Sequence, residues 1–242
     1  YEQIINRSDV DETNVAIIGI SFGGSLLLKA TLDEKIKLNP PRSMLMYGSC
    51  FDLESGLNFL LTGEIKHNGK VGYISPNDWG LTVLFHNFIK KIDAGFDTTK
   101  IQTVLAARVA DQLDEVERLK ASLNNHDLQF INSVLTAKFT PEIAKIVKII
   151  IKSQADSLKE VSPSSFCKKI DMKIFIMHGA NDSMVPYTES IKLGNSLPNN
   201  ELLISYIYEH KEISTKGGLI TKIKELIKLE QFFANYFRYN AS

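Results

Sequence analysis

Val15-Ala16-Ile17-Ile18-Gly19-Ile20-Ser21-Phe22-Gly23-Gly24, continuing into Ser25-Leu26-Leu27-Leu28-Lys29-Ala30, decides how this chain folds. Its first part is an unbroken apolar run of strand length, and its last part has helical composition. Between them stands Gly-x-Ser-x-Gly, residues 19 to 23. A strand that turns at once into a helix lifts the corner residue out of the sheet, so Ser21 would present its hydroxyl at the strand end. Gly19 and Gly23 would be small because strand and helix crowd one another there. The N–H of Phe22 would point at a developing oxyanion. The five-residue pattern alone is weak, arising by chance about 0.08 times in a chain this long. The plain alternative is a glycine-rich loop whose serine caps a helix. The strand before it and the helix after it favour a nucleophile.

Working outward, the same apolar character without alternation recurs in Ser43-Met44-Leu45-Met46-Tyr47, in Lys173-Ile174-Phe175-Ile176-Met177 and in Leu202 to Ile207. Such strands have both faces covered. From about Asp52 to Ser165 no convincing strand is visible. Helices are expected over Asp78 to Ile92, over Thr98 to Leu123 as one long amphipathic element, and over His126 to Thr136. Another should begin at Thr140-Pro141-Glu142, which combines a capping hydroxyl, proline at the first helical position and an early acid, and run to about Glu160. A closing helix from Leu219 to Phe237 would bury Ile223, Leu226, Ile227, Phe233 and Tyr236 or Phe237. Strands alternating with helices at both ends of the chain imply a parallel sheet with right-handed crossovers. The intervening helical block is too long for a loop and reads as an inserted, all-helical cap.

Composition narrows the classes. The 242 residues are 44% apolar, enough for one large α/β domain or one domain with an insertion. Twenty-eight basic and 28 acidic residues cancel, which leaves no nucleic-acid footprint. No apolar run is long enough for a membrane span. Cys50 and Cys167 are too few for a disulfide framework and sit among apolar or small residues, as buried free thiols do. No His, Cys and Asp cluster has zinc-like spacing, so neither a metal nor an organic cofactor is called for. Nothing in the sequence assigns a compartment, though the cytoplasm is slightly favoured.

A serine is a weak nucleophile until a base takes its proton, and the base needs a third group to orient it. In a parallel sheet all three belong just past the C-terminal ends of strands. Ser21 follows the first strand, Asp182 the third and His210 the fourth. Asp52, after the second strand, is the rival acid, and His178 the rival base. His67, His86 and His126 read as ordinary surface or partly buried histidines.

On these residues the chain resembles the C-terminal part of an α/β-hydrolase of the lidded serine esterase or lipase type. Gly19-Ile20-Ser21-Phe22-Gly23-Gly24 is similar to that family's nucleophile turn. His178-Gly179-Ala180-Asn181-Asp182-Ser183-Met184-Val185-Pro186 resembles its acid loop, and His210 its histidine loop, with Glu209 where a glycine often stands. The resemblance covers residues 1–51 and 166–242 as the hydrolase core and leaves 52–165 as the cap. It implies cleavage of a small-molecule carboxylic ester through an acyl-enzyme, with catalytic Ser21, Asp182 and His210 and the Phe22 N–H in the oxyanion hole. A peptidase or thioesterase would use the same triad, and a non-catalytic binding protein could keep the fold. Only the last four of the family's roughly eight strands have counterparts here. The resemblance therefore implies that the N-terminal half of the sheet, with a second oxyanion donor, lies on a segment outside this sequence or on another chain. Val15 to Ile20 would otherwise be an apolar edge. Lys145, Lys148 and Lys152 share one helix face, which would suit a lipid-docking lid, but the favoured reading is the solvated basic face of an ordinary cap helix.

Overall fold

A computed structural model describes residues 1–207 and 219–241. The chain runs through α1 (Glu2–Ile5), β1 (Ala16–Ile20), α2 (Phe22–Ala30), α3 (Glu34–Leu38), β2 (Ser43–Tyr47) and α4 (Leu53–Thr62). It continues through β3 (Glu64–His67), β4 (Lys70–Tyr73), α5 (Asp78–Phe88), α6 (Thr99–Val109), α7 (Leu113–Lys120), α8 (Asn125–Leu135), α9 (Pro141–Ser153) and α10 (Ala155–Val161). It closes with β5 (Lys173–Gly179), α11 (Tyr187–Ser196), β6 (Asn200–Ser205) and α12 (Leu219–Ala241). Two compact units result, one of Tyr1–Gly56, Glu64–Ile74 and Lys159–Ser242, the other of Leu57–Gly63 and Ser75–Leu158.

The first unit is built on a parallel sheet in the order β1-β2-β5-β6. Ile20, Tyr47 and Met177 lie in register, so their strands end along one edge. Alternate residues point to opposite faces, and both faces of the central strands are covered. Met44, Met46, Ile174 and Ile176 pack with Leu28 of α2 and Leu193 of α11. Leu45, Phe175, Met177 and Leu203 pack with Phe232 and Tyr236 of α12. The end of α12 is tied to the start of β2, where Arg42 Nε donates to the Tyr239 carbonyl (2.8 Å). A cation there also complements the negative end of the helix dipole. Among the described residues β1 pairs with β2 alone, and its Ile18 and Ile20 are 58% and 59% exposed.

The buried face of α12 differs from the expected one. Glu225, Phe232 and Tyr236 are buried, whereas Ile223, Leu226, Ile227 and Phe237 are exposed. The Glu225 carboxylate accepts the Tyr206 N–H just after β6 (3.0 Å), which turns that face inward. Two short strands also stand where none was visible. β3 and β4 pair antiparallel around Asn68 and Gly69, both at positive φ (49° and 73°). Asn-Gly is the pair that such a hairpin turn demands. The flanks hid it, since of the eight strand residues Ile65 alone is buried.

The second unit is helical. Leu81 and Phe85 of α5, Ile101, Val104 and Leu105 of α6, Ile131 of α8 and Ile143, Ile146, Val147 and Ile150 of α9 form its core. Lys145, Lys148 and Lys152 are exposed on the opposite face of α9. The helix expected over Thr98 to Leu123 is two helices. Asp111 adopts a left-handed φ of 57° and donates to Arg108 O (3.2 Å), while Gln112 N–H reaches Ala107 O (3.0 Å). This paired closure satisfies the last carbonyls of α6, and aspartate tolerates the conformation. The helix expected from Thr140 to Glu160 is likewise interrupted, at Gln154.

His126 joins α8 to α9. Its Nδ1 lies 3.1 Å from Asp127 Oδ1 and its Nε2 lies 2.9 Å from Glu142 Oε1. Carboxylates only accept, so the arrangement calls for the imidazolium with both nitrogens donating. The hydrogen bond to Glu142, then that to Asp127, raises its pKa above the ordinary value. A raised pKa gives stabilisation that is complete below the ordinary histidine value of about 6.5 and is lost as pH rises through the folded-state value. The unfolding midpoint of the wild type should therefore fall between pH 6 and pH 8 relative to that of His126→Gln. Parallel pH dependences of the two midpoints would rule the clasp out.

Candidate active site

Ser21 stands at the corner between β1 and α2 with φ 54° and ψ −135°. This is a glycine-favouring conformation that costs a side-chain-bearing residue about 1–3 kcal/mol. It is held from both sides. The Ser21 N–H donates to Tyr47 O at the end of β2 (2.7 Å), and its carbonyl accepts the Gly24 N–H (3.0 Å). The sequence meets the crowding at this corner with small residues, but not quite as expected. A Cβ on Gly19 would lie 2.6 Å from Gly24 Cα, and one on Gly24 would collide with Ser49 Oγ. A Cβ on Gly23 would meet nothing within 4 Å. The close approach therefore involves Gly19 and Gly24, and Gly23 is not part of it. Phe22 occupies the first position of α2, where backbone N–H groups have no intrahelical acceptor and the dipole favours negative charge.

Asp182 follows the end of β5 and is 1% exposed. Its Oδ1 accepts the N–H groups of Met184 (2.7 Å) and Val185 (2.9 Å), so the loop folds around the carboxylate. Its Oδ2 lies 3.3 Å from Nε2 of fully buried His178. That nitrogen is also 2.9 Å from the Val185 carbonyl, which can only accept, so Nε2 carries a proton. Nδ1 lies 2.6 Å from the Ser190 hydroxyl. Both ring nitrogens of His178 thus have partners within the acid region.

Asp52 is occupied as well. Its Oδ1 accepts the Ser55 N–H at the start of α4 (2.9 Å), and its Oδ2 accepts the Ser164 hydroxyl (3.0 Å). Its own N–H donates to Glu189 (2.8 Å). Cys50 is buried, and burial, then the charges of Glu189, Asp182 and Asp52, pushes its thiol pKa well up, which makes it a poor nucleophile. His210 lies outside the described residues. Among the described residues no group of His, Cys, Asp and Glu is arranged to hold a metal ion, and no helix is long and apolar enough to cross a membrane. Two residues of the acid region went unnoticed in the sequence, Glu189 and Ser190. Their spacing after Asp182 carries no pattern of its own, and only burial and hydrogen bonding single them out.

Sheet and serine corner together are of the α/β-hydrolase type. The BD-FAE family model, esterase-like and related to the α/β-hydrolases, matches residues 87–197, which include Asp182. This match and the fold support a hydrolase of that type. No curated protein matches the chain. Among solved structures, an esterase from Exiguobacterium antarcticum aligns over 95% of this chain and 68% of its own, at 13% identity and a TM-score of 0.41. The 2-hydroxy-6-oxo-6-phenylhexa-2,4-dienoate hydrolase of Rhodococcus sp. strain RHA1 aligns over 92% and 63%, at 14% identity and a TM-score of 0.40. A serine hydrolase from Cycloclasticus zankles aligns over 91% and 63%, at 16% identity and a TM-score of 0.38.

The strained corner makes a stability prediction with two signs. Ser21→Gly relieves the backbone and should raise unfolding free energy by about 1 kcal/mol in urea titration. Gly19→Ala, by forcing strand and helix apart, should lower it by about 1–3 kcal/mol. A Ser21→Gly protein less stable than wild type would show that the corner is not strained.

Proposed function

We propose that this chain carries the nucleophile and the acid of a serine hydrolase that cleaves carboxylic esters through an acyl-enzyme. Ser21 Oγ attacks the carbonyl carbon and passes its proton to His210, while the carbonyl electron pair moves onto oxygen. The Phe22 N–H, at the positive end of α2, donates to that oxyanion. Collapse of the intermediate expels the alcohol, which takes the proton from His210, and water repeats the sequence to release the acid. Asp182 fixes the imidazole tautomer and stabilises its charge.

The observation that carries this reading is the backbone of Ser21. A side-chain-bearing residue held at φ 54° between a strand and a helix is stored strain of the kind found at functional sites. The buried Asp182 carboxylate, past the end of β5 two strands along the same sheet, supports the second role. The apolar edge of β1, with Ile18 and Ile20 exposed, supports the further reading that another strand pairs there. That strand, from the same protein or another chain, would bring the second oxyanion donor. The inserted helical unit is assigned the selection of substrate.

A fluorophosphonate probe should label Ser21 in the folded, complete protein. Nitrophenyl esters should turn over with kcat reduced about 10⁴-fold or more in Ser21→Ala and substantially in His210→Ala. Absence of an adduct at Ser21 favours a binding protein on the same fold, and a Ser21→Ala protein of normal activity defeats the mechanism.

A further inference from the structure

Glu189 is a carboxylate with no exposed surface, in the first turn of α11. A buried charge is tolerated only when it is well partnered. Its Oε2 accepts the Asp52 N–H (2.8 Å), and its Oε1 accepts the Ser55 hydroxyl (2.9 Å) and the Lys192 ammonium (2.7 Å). Asp52 and Ser55 lie in the segment that leaves β2, whereas α11 begins directly after the acid loop. Glu189 therefore joins the segments that follow two neighbouring strands, β2 and β5. The next residue, Ser190, hydrogen-bonds His178 Nδ1 through its hydroxyl, and His178 in turn holds the Val185 carbonyl and faces Asp182 Oδ2. Burial, then the charges of Glu189, Asp182 and Asp52, holds the thiol of buried Cys50 well above its ordinary pKa.

We propose that Glu189 is a positioning residue: its buried carboxylate locks the first turn of α11 to the segment after β2, and through Ser190, His178 and Val185 holds the Asp182 carboxylate in place. The proposal rests on the reading of Asp182 as the triad acid. Glu189 touches no reacting atom. It fixes the far end of a short chain of contacts whose near end orients the general base. The link can be cut without removing any group placed in the catalytic machinery.

The test is a double-mutant cycle with an independent structural readout. Glu189→Ala should lower kcat for a nitrophenyl ester about 10- to 100-fold with KM nearly unchanged, as small misplacements of catalytic groups do. Glu189→Gln keeps an acceptor for the Asp52 N–H and should restore most of that loss. In an Asp182→Asn background Glu189→Ala should cost less than about twofold, because the residue it positions no longer acts. Alkylation of Cys50 in the folded protein should quicken about tenfold in Glu189→Ala as the clamp opens. Equal losses of kcat with and without Asp182, or an unchanged Cys50 rate, overturn the proposal. A normal kcat in Asp182→Asn overturns the triad reading instead, and the Cys50 rate then still decides whether Glu189 fixes the loop. Should Glu189→Ala not fold, Ser190→Ala cuts the same path at His178. Its kcat loss should likewise vanish when Asp182 is replaced, and persistence of that loss overturns the proposal.

Discussion

One backbone conformation constrains the first unit more than any other feature, the positive φ of Ser21. To reverse from strand to helix at a single residue, the chain must let Gly19 and Gly24 come nearly into contact. It must also tie the corner down, which the Tyr47 carbonyl does by accepting the Ser21 N–H. That bond exists because β1 and β2 run parallel with their ends in register. Sheet order, helix placement and the presentation of the serine hydroxyl are therefore one requirement met by several residues. The strain at Ser21 is sustained because its neighbours leave it no alternative.

The acid side works differently. Around Asp182 the backbone is unremarkable, and what is costly is burial of charge and polar groups. Asp182, His178, Ser190 and Glu189 are all buried, and each finds partners. Such networks hold their members tightly when complete and destabilise when one partner is lost. The two halves of the candidate site are thus made rigid by opposite means, one by steric confinement of the backbone and the other by mutual satisfaction of buried polar groups.

Much of this was legible in the residues. The four sheet strands announced themselves as apolar runs, because strands covered on both faces have no reason to alternate. The serine corner was legible because its geometry needs glycine, and the core of α9 because its isoleucines recur at helical spacing. Other features were invisible for equally physical reasons. Nothing local marks Asp111 as a helix end, since aspartate enters the left-handed region without a glycine to signal it. The β3–β4 hairpin has the right turn but too little buried surface to stand out. The face of α12 was misplaced because apolar residues surround the helix, and a tertiary contact of Glu225 chose among them. Glu189 looked like any surface glutamate, and its role depends on where α4 begins, more than 130 residues earlier in the chain.

The strands at the centre of the sheet, β2 and β5, are separated in sequence by the whole of residues 48–172. Within the first unit the segment after β2 is tied to the segment that leads to β5, where Ser164 N–H donates to Phe51 O (2.8 Å) and Leu53 N–H to Ser162 Oγ (3.0 Å). Closing so long a loop in an unfolded chain carries an entropic penalty that slows the pairing of distant strands. The helical segment between them has a core of its own, and its contacts are local. Once it condenses, the effective separation of β2 and β5 shrinks to the span between its two ends. Connectivity of this kind favours early condensation of the helices and late pairing of β2 with β5, and the serine corner can be held under tension only once β2 lies beside β1.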